Sequence, residues 1–216
     1  MRTGGARPRV LLADDHTLVA EAFAKMLEPQ FEVVGIVTNG RALLEDAPKL
    51  CPDVVVLDLG MPLLNGLDAG ERLKESIPEA KMIVLTVNED PEVAREALHR
   101  WASGFLLKKS AGSELIKAVQ EVLKGKSYIT KFMTQKLVDQ FVRDPRVGRV
   151  KGLTPRQREV LQLLAEGRTM KEVADVLNVT ARTVAFHKYR IMEEFGLKSN
   201  SDLVLLAIRE HMIAQP

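Results

Sequence analysis

The chain contains 216 residues, of which 46% are hydrophobic and 28% are charged, values typical of globular proteins. This composition excludes a disordered chain and a low-complexity polymer, and the length predicts one large domain or two small ones. The net charge is only +2, but residues 1–142 carry 18 Lys+Arg against 20 Asp+Glu, whereas residues 143–216 carry 13 against 9. An acidic first part and a basic second part favour two units with different partners.

Cysteine usage and hydropathy predict the compartment. Cys51 is the only cysteine, so it cannot form an intrachain disulfide, which fits a reducing cytosol. No run of about 18 apolar residues predicts a membrane span. The first nine residues are basic but lack the apolar segment of a signal peptide, and we interpret residues 1–8 as a flexible tail. The sequence therefore predicts a cytoplasmic protein.

Short apolar runs and amphipathic stretches alternate over the first part of the chain. The runs predict five strands that are buried on both faces: Val10–Ala13, Val33–Val37, Val54–Leu57, Met82–Leu85 and Phe105–Leu107. The stretches between them have apolar residues three or four apart and predict helices. Five such strand–helix units predict a parallel sheet with helices on both faces, and ligand sites in such sheets lie beyond the carboxyl ends of the strands.

Only helical periodicity continues beyond this sheet. An amphipathic helix is predicted over Thr130–Val142, and an exposed linker with four basic residues over Arg143–Gly152. Four helices follow: one capped by Thr154 and ending at Gly167, one over Met170–Leu177, one from Thr180 to Phe195, and one capped by Ser201 and ending near His211. The chain is thus predicted to hold an α/β domain over residues 9–127, a linker over residues 128–151 and a four-helix domain over residues 152–216.

Polar side chains stand at the ends of four predicted strands. They are Asp14, Asp15, Asp58, Thr86 and Lys108. A lone Asp at such a place is usually a helix cap, but if the first and third strands are neighbours, three carboxylates converge. Their repulsion needs a compensating Mg²⁺ or lysine. Such a set can transfer a phosphoryl group to an aspartate, because the metal and the lysine neutralise the group while a carboxylate attacks it. Asp58 is the better nucleophile, since the other two aspartates and the Gly60 carbonyl can hold the metal.

Four segments carry a family resemblance. The segments LLADDH, VVVLDLGMPLLNG, MIVLT and GFLLKK resemble the signatures of a response-regulator receiver domain, over about residues 9–127. The resemblance implies a flavodoxin-like, doubly wound fold with Asp58 as the phosphoacceptor. It implies that Asp14, Asp15, Asp58 and the Gly60 backbone carbonyl bind Mg²⁺, that Thr86 and Lys108 bind the phosphoryl group, and that Phe105 is the aromatic switch residue. It also implies a sensor histidine kinase or a small phosphodonor as partner.

The chain departs from the receiver pattern at a few positions. Lys109 stands where an acid is common, and Arg100-Trp101 stands where small residues are usual. Trp101 is either a core residue or part of an altered dimer or interdomain surface. Asn88 and Gly60 occupy positions at which the family tunes the lifetime of the phosphoryl group.

The basic end of the chain has the pattern of a DNA-reading unit. Two helices joined by the turn Asn178-Val179 form such a unit when the second presents polar and basic residues. The outward residues predicted there are Arg182, Thr183, Phe186, Lys188, Tyr189 and Arg190. An ordinary solvated helical bundle is the alternative interpretation of this pattern.

A second resemblance favours DNA binding. LTPRQREVLQLLAEG and KEVADVLNVTARTVAFHKYRI resemble the LuxR-type helix–turn–helix signature, from Leu153 to about Ala207. The whole chain therefore resembles the NarL/FixJ group of transcription regulators. This implies a homodimer formed through the last helix, Asp202–Met212, with the third helix in the major groove at paired half-sites.

The resemblance is incomplete on the third helix. Ala185 and Tyr189 replace two basic residues of the family, so Phe186 and Tyr189 are predicted to contact thymine methyl groups while Lys188 and Arg190 contact phosphates. Thr180 and His187 complete the predicted DNA-binding set, with a packing role as the alternative for His187.

Two other functions are compatible with parts of the sequence. A magnesium-dependent phosphoaspartate hydrolase would resemble the haloacid dehalogenase group, but such enzymes carry a second Asp two residues after the nucleophile, where this chain has Gly60. No catalysis beyond self-phosphorylation and slow self-dephosphorylation is expected. A regulator that dimerises without phosphorylation is the other alternative, favoured only by Trp101 and Lys109. The leading hypothesis is a phosphorylation-controlled, DNA-binding transcription factor in which the α/β domain masks or frees the C-terminal helices.

Overall fold

The structure, a computed structural model, describes residues 7–143 and 152–213. Most of the predicted N-terminal tail and nearly all of the predicted basic linker lie outside the described residues. The described residues form a parallel sheet and ten α-helices. The strands are β1 (Arg9–Ala13), β2 (Glu32–Val37), β3 (Val54–Leu57), β4 (Lys81–Thr86), β5 (Gly104–Leu107) and β6 (Tyr128–Ile129). No described helix is long and apolar enough to cross a membrane.

The order of the strands is β2-β1-β3-β4-β5-β6, and all neighbouring pairs are parallel. The first five strands have the flavodoxin-like order, so the predicted fold class is confirmed. The order reverses between β1 and β3, and sheets of this type bind their ligands at such a reversal, beyond the carboxyl ends of the strands. Six helices belong to this part of the chain: α1 (Thr17–Leu27), α2 (Gly40–Leu50), α3 (Gly66–Ser76), α4 (Pro91–Arg100), α5 (Ala111–Leu123) and α6 (Lys131–Arg143).

Two apolar cores cover the two faces of the sheet. Residues of α2, α3, α4 and α6 form one core, which includes the fully buried Phe105 and Met133. Residues of α1 and α5 form the other, which includes Phe23 and Leu115. The unbroken apolar run of β3 follows from this arrangement, because each of its four side chains faces a helix layer.

The prediction of five strands was wrong by one. Tyr128 and Ile129 pair with Gly104 and Phe105 as a sixth strand, in a segment that the sequence pattern assigned to the linker. Thr130 then anchors the chain, since its N–H donates to the Phe105 carbonyl (3.0 Å) and its Oγ1 accepts from the Leu107 N–H (3.2 Å). The following helix, α6, packs on α4 and is therefore fixed to the α/β domain.

The last four helices are α7 (Pro155–Ala165), α8 (Met170–Leu177), α9 (Ala181–Glu194) and α10 (Asn200–Arg209). Thr154 and Thr169 form capping boxes with the residues three positions later, and Thr180 caps α9. The prediction that Ser201 caps the last helix was wrong, because Ser199 does so in a capping box with Asp202. The aspartate three residues after Ser199 accepts the hydrogen bond from the N-cap N–H, which places the start of the helix two residues earlier.

Trp101 is a core residue rather than part of a surface. Its ring is 6% exposed and packs against α3, where a Cβ built on Gly70 would lie 2.5 Å from Trp101 Cζ2. The glycine on α3 therefore makes room for the bulky residue that stands in place of a small one at the end of α4.

We predict that Gly70→Ala lowers the free energy of unfolding by about 1–3 kcal/mol, because the new methyl group overpacks the buried ring. Gly112→Ala in α5 is the matched control, since nothing lies within 4 Å of its added Cβ. The control is expected to be neutral or stabilising by up to about 1 kcal/mol. Urea unfolding followed by circular dichroism measures both variants, and equal effects would contradict the packing argument.

Candidate functional site

The strand register brings the predicted residues to one edge of the sheet. Ala13 on β1 pairs with Leu57 on β3, so Asp14 and Asp58 leave the sheet side by side. Thr86 on β4 pairs with Leu107 on β5, so Lys108 leaves the sheet beside Thr86. Because β3 and β4 are neighbours, all four side chains leave the same edge of the sheet, where three of them form a charged cluster.

Two buried carboxylates and one lysine form the centre of this cluster. Asp14 and Asp58 are 4% and 5% exposed. Lys108 Nζ lies 2.7 Å from Asp14 Oδ2 and donates a hydrogen bond of 2.8 Å to Asp58 Oδ2. The Leu59 N–H donates to the other oxygen of Asp58 at 2.7 Å. One ammonium group thus compensates two carboxylates that would otherwise repel each other in a poorly solvated place.

Burial and charge shift the protonation equilibria in this cluster. Burial raises the pKa of Asp58, which Lys108 opposes and the neighbouring Asp14 carboxylate reinforces. Burial alone would lower the pKa of Lys108, but the Asp58 and Asp14 carboxylates outweigh it and raise that pKa, so the lysine is charged at neutral pH. Because the two close carboxylates repel each other, binding of a further positively charged group beside them is favourable.

The donor set fits a hard divalent cation. Carboxylate oxygens of Asp14, Asp15 and Asp58 and a ring nitrogen of His16 all lie within 4.8 Å of one another. Asp14 Oδ2 and Asp15 Oδ1 are buried, with Lys108 Nζ 2.7 Å from the first and His16 Nδ1 2.9 Å from the second, so each oxygen still has a lone pair for a metal. Oxygen donors with room for waters are the set that Mg²⁺ prefers. His16 was missed by the sequence analysis; its Nδ1 lies 2.9 Å from Asp15 Oδ1.

Thr86 and Phe105 occupy the interior side of the site. Thr86 is 2% exposed, and its Oγ1 accepts a hydrogen bond from the Asn88 N–H at 3.1 Å. Phe105 is fully buried beneath this edge. For Gly60, a Cβ would lie 3.7 Å from Asp58 Oδ2, which places its backbone next to the phosphoacceptor candidate. A metal bond from the Gly60 carbonyl stays a prediction.

The predicted DNA-reading residues lie on one helix, α9. Phe186 and Tyr189 are 59% and 61% exposed, so both aromatic rings are open to a partner. Arg190 lies over the Phe186 ring and Lys188 over the Tyr189 ring, each 5.9 Å from the ring centroid. Exposed Arg182 stands near the start of the helix, where the side chains of Thr180 and Thr183 hydrogen-bond to each other at 2.9 Å. Burial, and secondarily Arg156, lowers the pKa of His187.

The C-terminal helices contact the α/β domain through α7 and through the end of α10, where His211 lies 2.9 Å from Asp90. Gln162 is 1% exposed, and its side-chain oxygen accepts from the Asn65 N–H at 2.8 Å while its Nε2 donates to the Met61 carbonyl at 3.1 Å. Arg158 pairs with Asp68 at 2.8 Å. The buried Glu159 is surrounded by three arginines: Arg41 at 3.0 Å, Arg156 at 3.3 Å, and Arg72.

An apolar contact accompanies these polar ones. Leu63, in the loop after Asp58, has a φ of +67° and packs against the core cluster of α7, α8 and α9. A leucine in the left-handed region costs about 1–2 kcal/mol, so other contacts of this loop must offset the strain. The loop that follows the phosphoacceptor candidate is therefore held by the C-terminal helices. Sequence analysis found none of these interface residues.

Comparison with known proteins gives two family matches. The model of the response regulator receiver domain matches residues 10–120, and that of bacterial regulatory proteins of the luxR family matches residues 151–207. The oxygen regulatory protein NreC of Staphylococcus epidermidis is 35% identical over 215 residues, which cover 95% of this chain and 99% of that protein. NreC of Staphylococcus aureus is 34% identical over 214 residues, with the same coverage.

Solved structures give the same result. The RcsB response regulator of Salmonella typhimurium has a TM-score of 0.66 at 28% identity, covering 97% of this chain and 100% of that chain. The RcsB–DNA complex has a TM-score of 0.59 at 30% identity, covering 92% of this chain and 96% of that chain.

We predict that Lys108→Met lowers the free energy of unfolding in metal-free buffer by about 2–4 kcal/mol, because it leaves two buried carboxylates without their counter-ion. Adding Asp58→Asn should restore most of the loss, since one carboxylate is then gone. Lys109→Met is the matched control: this neighbouring lysine is 56% exposed, and its removal should change stability by less than about 1 kcal/mol. Urea unfolding measures the variants. Equal losses at the two lysines, or no rescue by Asp58→Asn, would show that the cluster is not electrostatically coupled.

Proposed function

The chain belongs to the response regulators that join a receiver domain to a LuxR-type helix–turn–helix domain, and we propose that phosphorylation of Asp58 controls its output. As a member of this family it is a DNA-binding protein that regulates transcription. We assign the receiver function to residues 9–127 and the DNA-binding function to residues 152–216, with α6 and the basic linker between them. We further propose that the protein acts in the cytoplasm.

The convergence of the strand-end side chains carries the proposal. In the phosphoryl transfer, an Asp58 oxygen forms the bond to phosphorus as the bond from phosphorus to the donor's leaving group breaks. Lys108, which already contacts Asp58 Oδ2, neutralises charge on the transferred group. The Thr86 hydroxyl then turns towards the phosphoryl oxygens. A sensor histidine kinase or a small phosphodonor supplies the group.

A magnesium ion would be held by Asp14, Asp15, Asp58 and the Gly60 carbonyl. Its positive charge supports in-line displacement by stabilising the transferring oxygens. The buried oxygens of Asp14 and Asp15, each of which has a lone pair left beside its one close neighbour, support this assignment. His16 is a neighbour of the same carboxylates and is well placed to orient Asp15.

We propose no enzymatic activity on external substrates. A hydrolase of the haloacid dehalogenase type needs an acid–base carboxylate two residues after the nucleophile, and Gly60 has no side chain for that role. Chemistry at Asp58 is therefore limited to taking up a phosphoryl group and losing it slowly. A phosphorylation-independent dimer is the remaining alternative. The two residues that favoured this alternative in the sequence give it no support in the structure. Trp101 is buried in the receiver core, and Lys109 pairs with Glu89.

The output is binding of a homodimer to paired half-sites in DNA. The exposed ring faces of Phe186 and Tyr189 on α9 support apolar contact with thymine methyl groups. Arg182, Lys188 and Arg190, with Thr180 and Thr183 at the helix start, supply phosphate contacts. The lowered pKa of His187 leaves its ring mostly neutral at pH 7, which favours packing over a phosphate contact. Dimerisation through α10, where Leu205 is 64% exposed, then multiplies the affinity of one half-site.

We predict that incubation with acetyl phosphate and Mg²⁺ adds one phosphoryl group to the intact mass. Asp58→Asn should abolish the gain, and Asp15→Asn should slow it by about tenfold or more by weakening metal binding. Chelation of Mg²⁺ should slow phosphorylation of the native chain as Asp15→Asn does. Asp53→Asn is the matched control, because Asp53 lies at the opposite end of β3. Phosphorylation that survives Asp58→Asn would overturn the assignment of the phosphoacceptor.

We predict that Tyr189→Ala relaxes sequence preference at one or two base pairs, with a loss of about 1–3 kcal/mol on the preferred site and little loss on other sequences. Lys188→Ala and Arg190→Ala should instead weaken binding to all sequences and lower the salt slope by about 1 each. Selection from randomised duplexes, followed by anisotropy titrations at several salt concentrations, separates these effects. A uniform loss for Tyr189→Ala would contradict the thymine contact.

A further inference from the structure

We propose that Asn88 is a relay that senses the Thr86 hydroxyl and transmits its position to His211 in the DNA-binding domain. This inference rests on the proposed function, because it concerns how phosphorylation of Asp58 reaches the C-terminal helices. It assigns a positioning role to two residues that no family motif and no strand-end pattern singles out as a pair.

Two hydrogen bonds connect Thr86 to the end of α10, and two contacts with Asp90 hold the side chains that make the second of them. The Asn88 N–H donates to Thr86 Oγ1 at 3.1 Å, and Asn88 Oδ1 accepts from the Asp90 N–H at 2.7 Å. Asn88 Nδ2 then lies 2.9 Å from His211 Nδ1. The other ring nitrogen of His211, Nε2, lies 2.9 Å from Asp90 Oδ2. The histidine thus closes a ring of contacts with the loop that follows β4.

The donors and acceptors of this ring fix one another. Asn88 Oδ1 is used by the Asp90 N–H, so the amide cannot flip, and its NH₂ group must face His211. Nδ1 of His211 must therefore be the acceptor, and Nε2 carries the hydrogen that is donated to Asp90. The contact requires one side-chain orientation and one tautomer, which makes it sensitive to a small displacement of the loop.

The backbone of His211 is strained in a way that favours a role for its side chain. Its φ is +55°, in the left-handed region that favours glycine. It is the residue after the α10 C-cap, and the bonds from His211 N–H to the Ile208 carbonyl (3.0 Å) and from Met212 N–H to the Ala207 carbonyl (2.9 Å) form a Schellman motif. Glycine would satisfy this motif without strain, so the side chain at this position serves another purpose, and its contacts lie on the receiver.

The same loop is also tied to α6. Lys136 on α6 donates to the Glu89 carbonyl at 3.0 Å, and Lys109 pairs with the Glu89 carboxylate. Both ammonium groups lie over the Phe132 ring of α6, at 4.3 Å for Lys109 and 4.7 Å for Lys136. The loop after β4 is therefore attached on one side to the helix that leads to the C-terminal domain and on the other side to that domain itself.

Phosphorylation removes the first link of the relay. When Thr86 Oγ1 turns to the phosphoryl oxygens, it no longer accepts from the Asn88 N–H. The backbone N–H of Asn88 then has no acceptor, so the loop after β4 shifts and carries the Asn88 amide away from the position that His211 requires. The C-terminal domain thereby loses a specific contact with the receiver. The relay thereby converts rotation of one buried hydroxyl into weaker docking of the output domain.

Amide hydrogen exchange of the full-length, unphosphorylated protein tests the relay. His211→Gly and Asn88→Ala should each raise exchange over residues 87–90 and 208–212 about fivefold, the effect of losing one hydrogen bond. Beryllofluoride with Mg²⁺, a mimic of the phosphoryl group, should raise exchange in the native chain by a similar factor. It should add little further increase at these residues in either variant, because the link is already broken.

Asn178→Gly is the matched control for the backbone effect. Asn178 also ends a helix in the left-handed region, with a φ of +54°, but its side chain is exposed. The Asn178→Gly variant should leave exchange over residues 87–90 unchanged.

The His211→Gly variant is expected to fold, since glycine suits the left-handed backbone at this position. Thermal melting should confirm an intact domain.

The outcomes separate this inference from the proposed function. If acetyl phosphate labels Asp58 and beryllofluoride alters the native chain, but both variants exchange like the native chain, the relay is wrong and the proposed function stands. If Asp58 takes up no phosphoryl group and beryllofluoride changes nothing, the proposed function fails; increased exchange in the variants then supports only the docking contact and overturns its coupling to phosphorylation.

Discussion

The structure depends on the compensation of two buried carboxylates, Asp14 and Asp58, by the single ammonium group of Lys108. The parallel sheet brings all three to one edge because the strands that carry them end there. An apolar cluster of similar volume would be at least as stable, so this arrangement is best explained by its chemistry. The carboxylates are held close by a lysine that contacts both of them. Binding of a cation, or of a phosphoryl group that pairs with Lys108, therefore changes the electrostatic interactions among all three side chains.

The loops that leave this edge connect the chemistry to the rest of the molecule. The loop after Asp58 carries Leu63 into the apolar cluster of the C-terminal helices and meets Gln162 through its backbone and through Asn65. The loop after Thr86 meets His211. The receiver thus contacts α7 and the end of α10, while Phe186 and Tyr189 on α9 stay exposed. What docking restrains is therefore the orientation of the DNA-binding domain, and with it the pairing of two copies, more than access to the outward side chains of α9.

Local patterns predicted the strand-end site because each of its residues follows an apolar run, and a parallel sheet brings the ends of such runs together. They could not predict β6, because a strand of two residues shows no periodicity. They also could not choose between Ser199 and Ser201 as the residue that caps α10. Trp101 could be assigned to the core only from its contact with Gly70, some 30 positions away in sequence. The interface residues were harder still. The helical periodicity places Glu159 and Gln162 on the polar face of an amphipathic helix, where solvent exposure is expected. They are buried instead, because they contact residues about 90 to 120 positions earlier in the chain.

The proposed coupling between phosphorylation of Asp58 and docking of the C-terminal domain must act in both directions. If a phosphoryl group on Asp58 weakens docking by some factor, docking disfavours the phosphorylated form by the same factor, because the two equilibria share one cycle. The buried contacts of Glu159 and Gln162 then oppose phosphorylation from a distance. DNA acts in the opposite sense: paired half-sites that capture two released domains remove the docked form and so favour the phosphorylated receiver. The strained backbone at Leu63 keeps the docked form from being too stable for this exchange, since that strain can be relieved when Leu63 leaves the apolar cluster of the C-terminal helices.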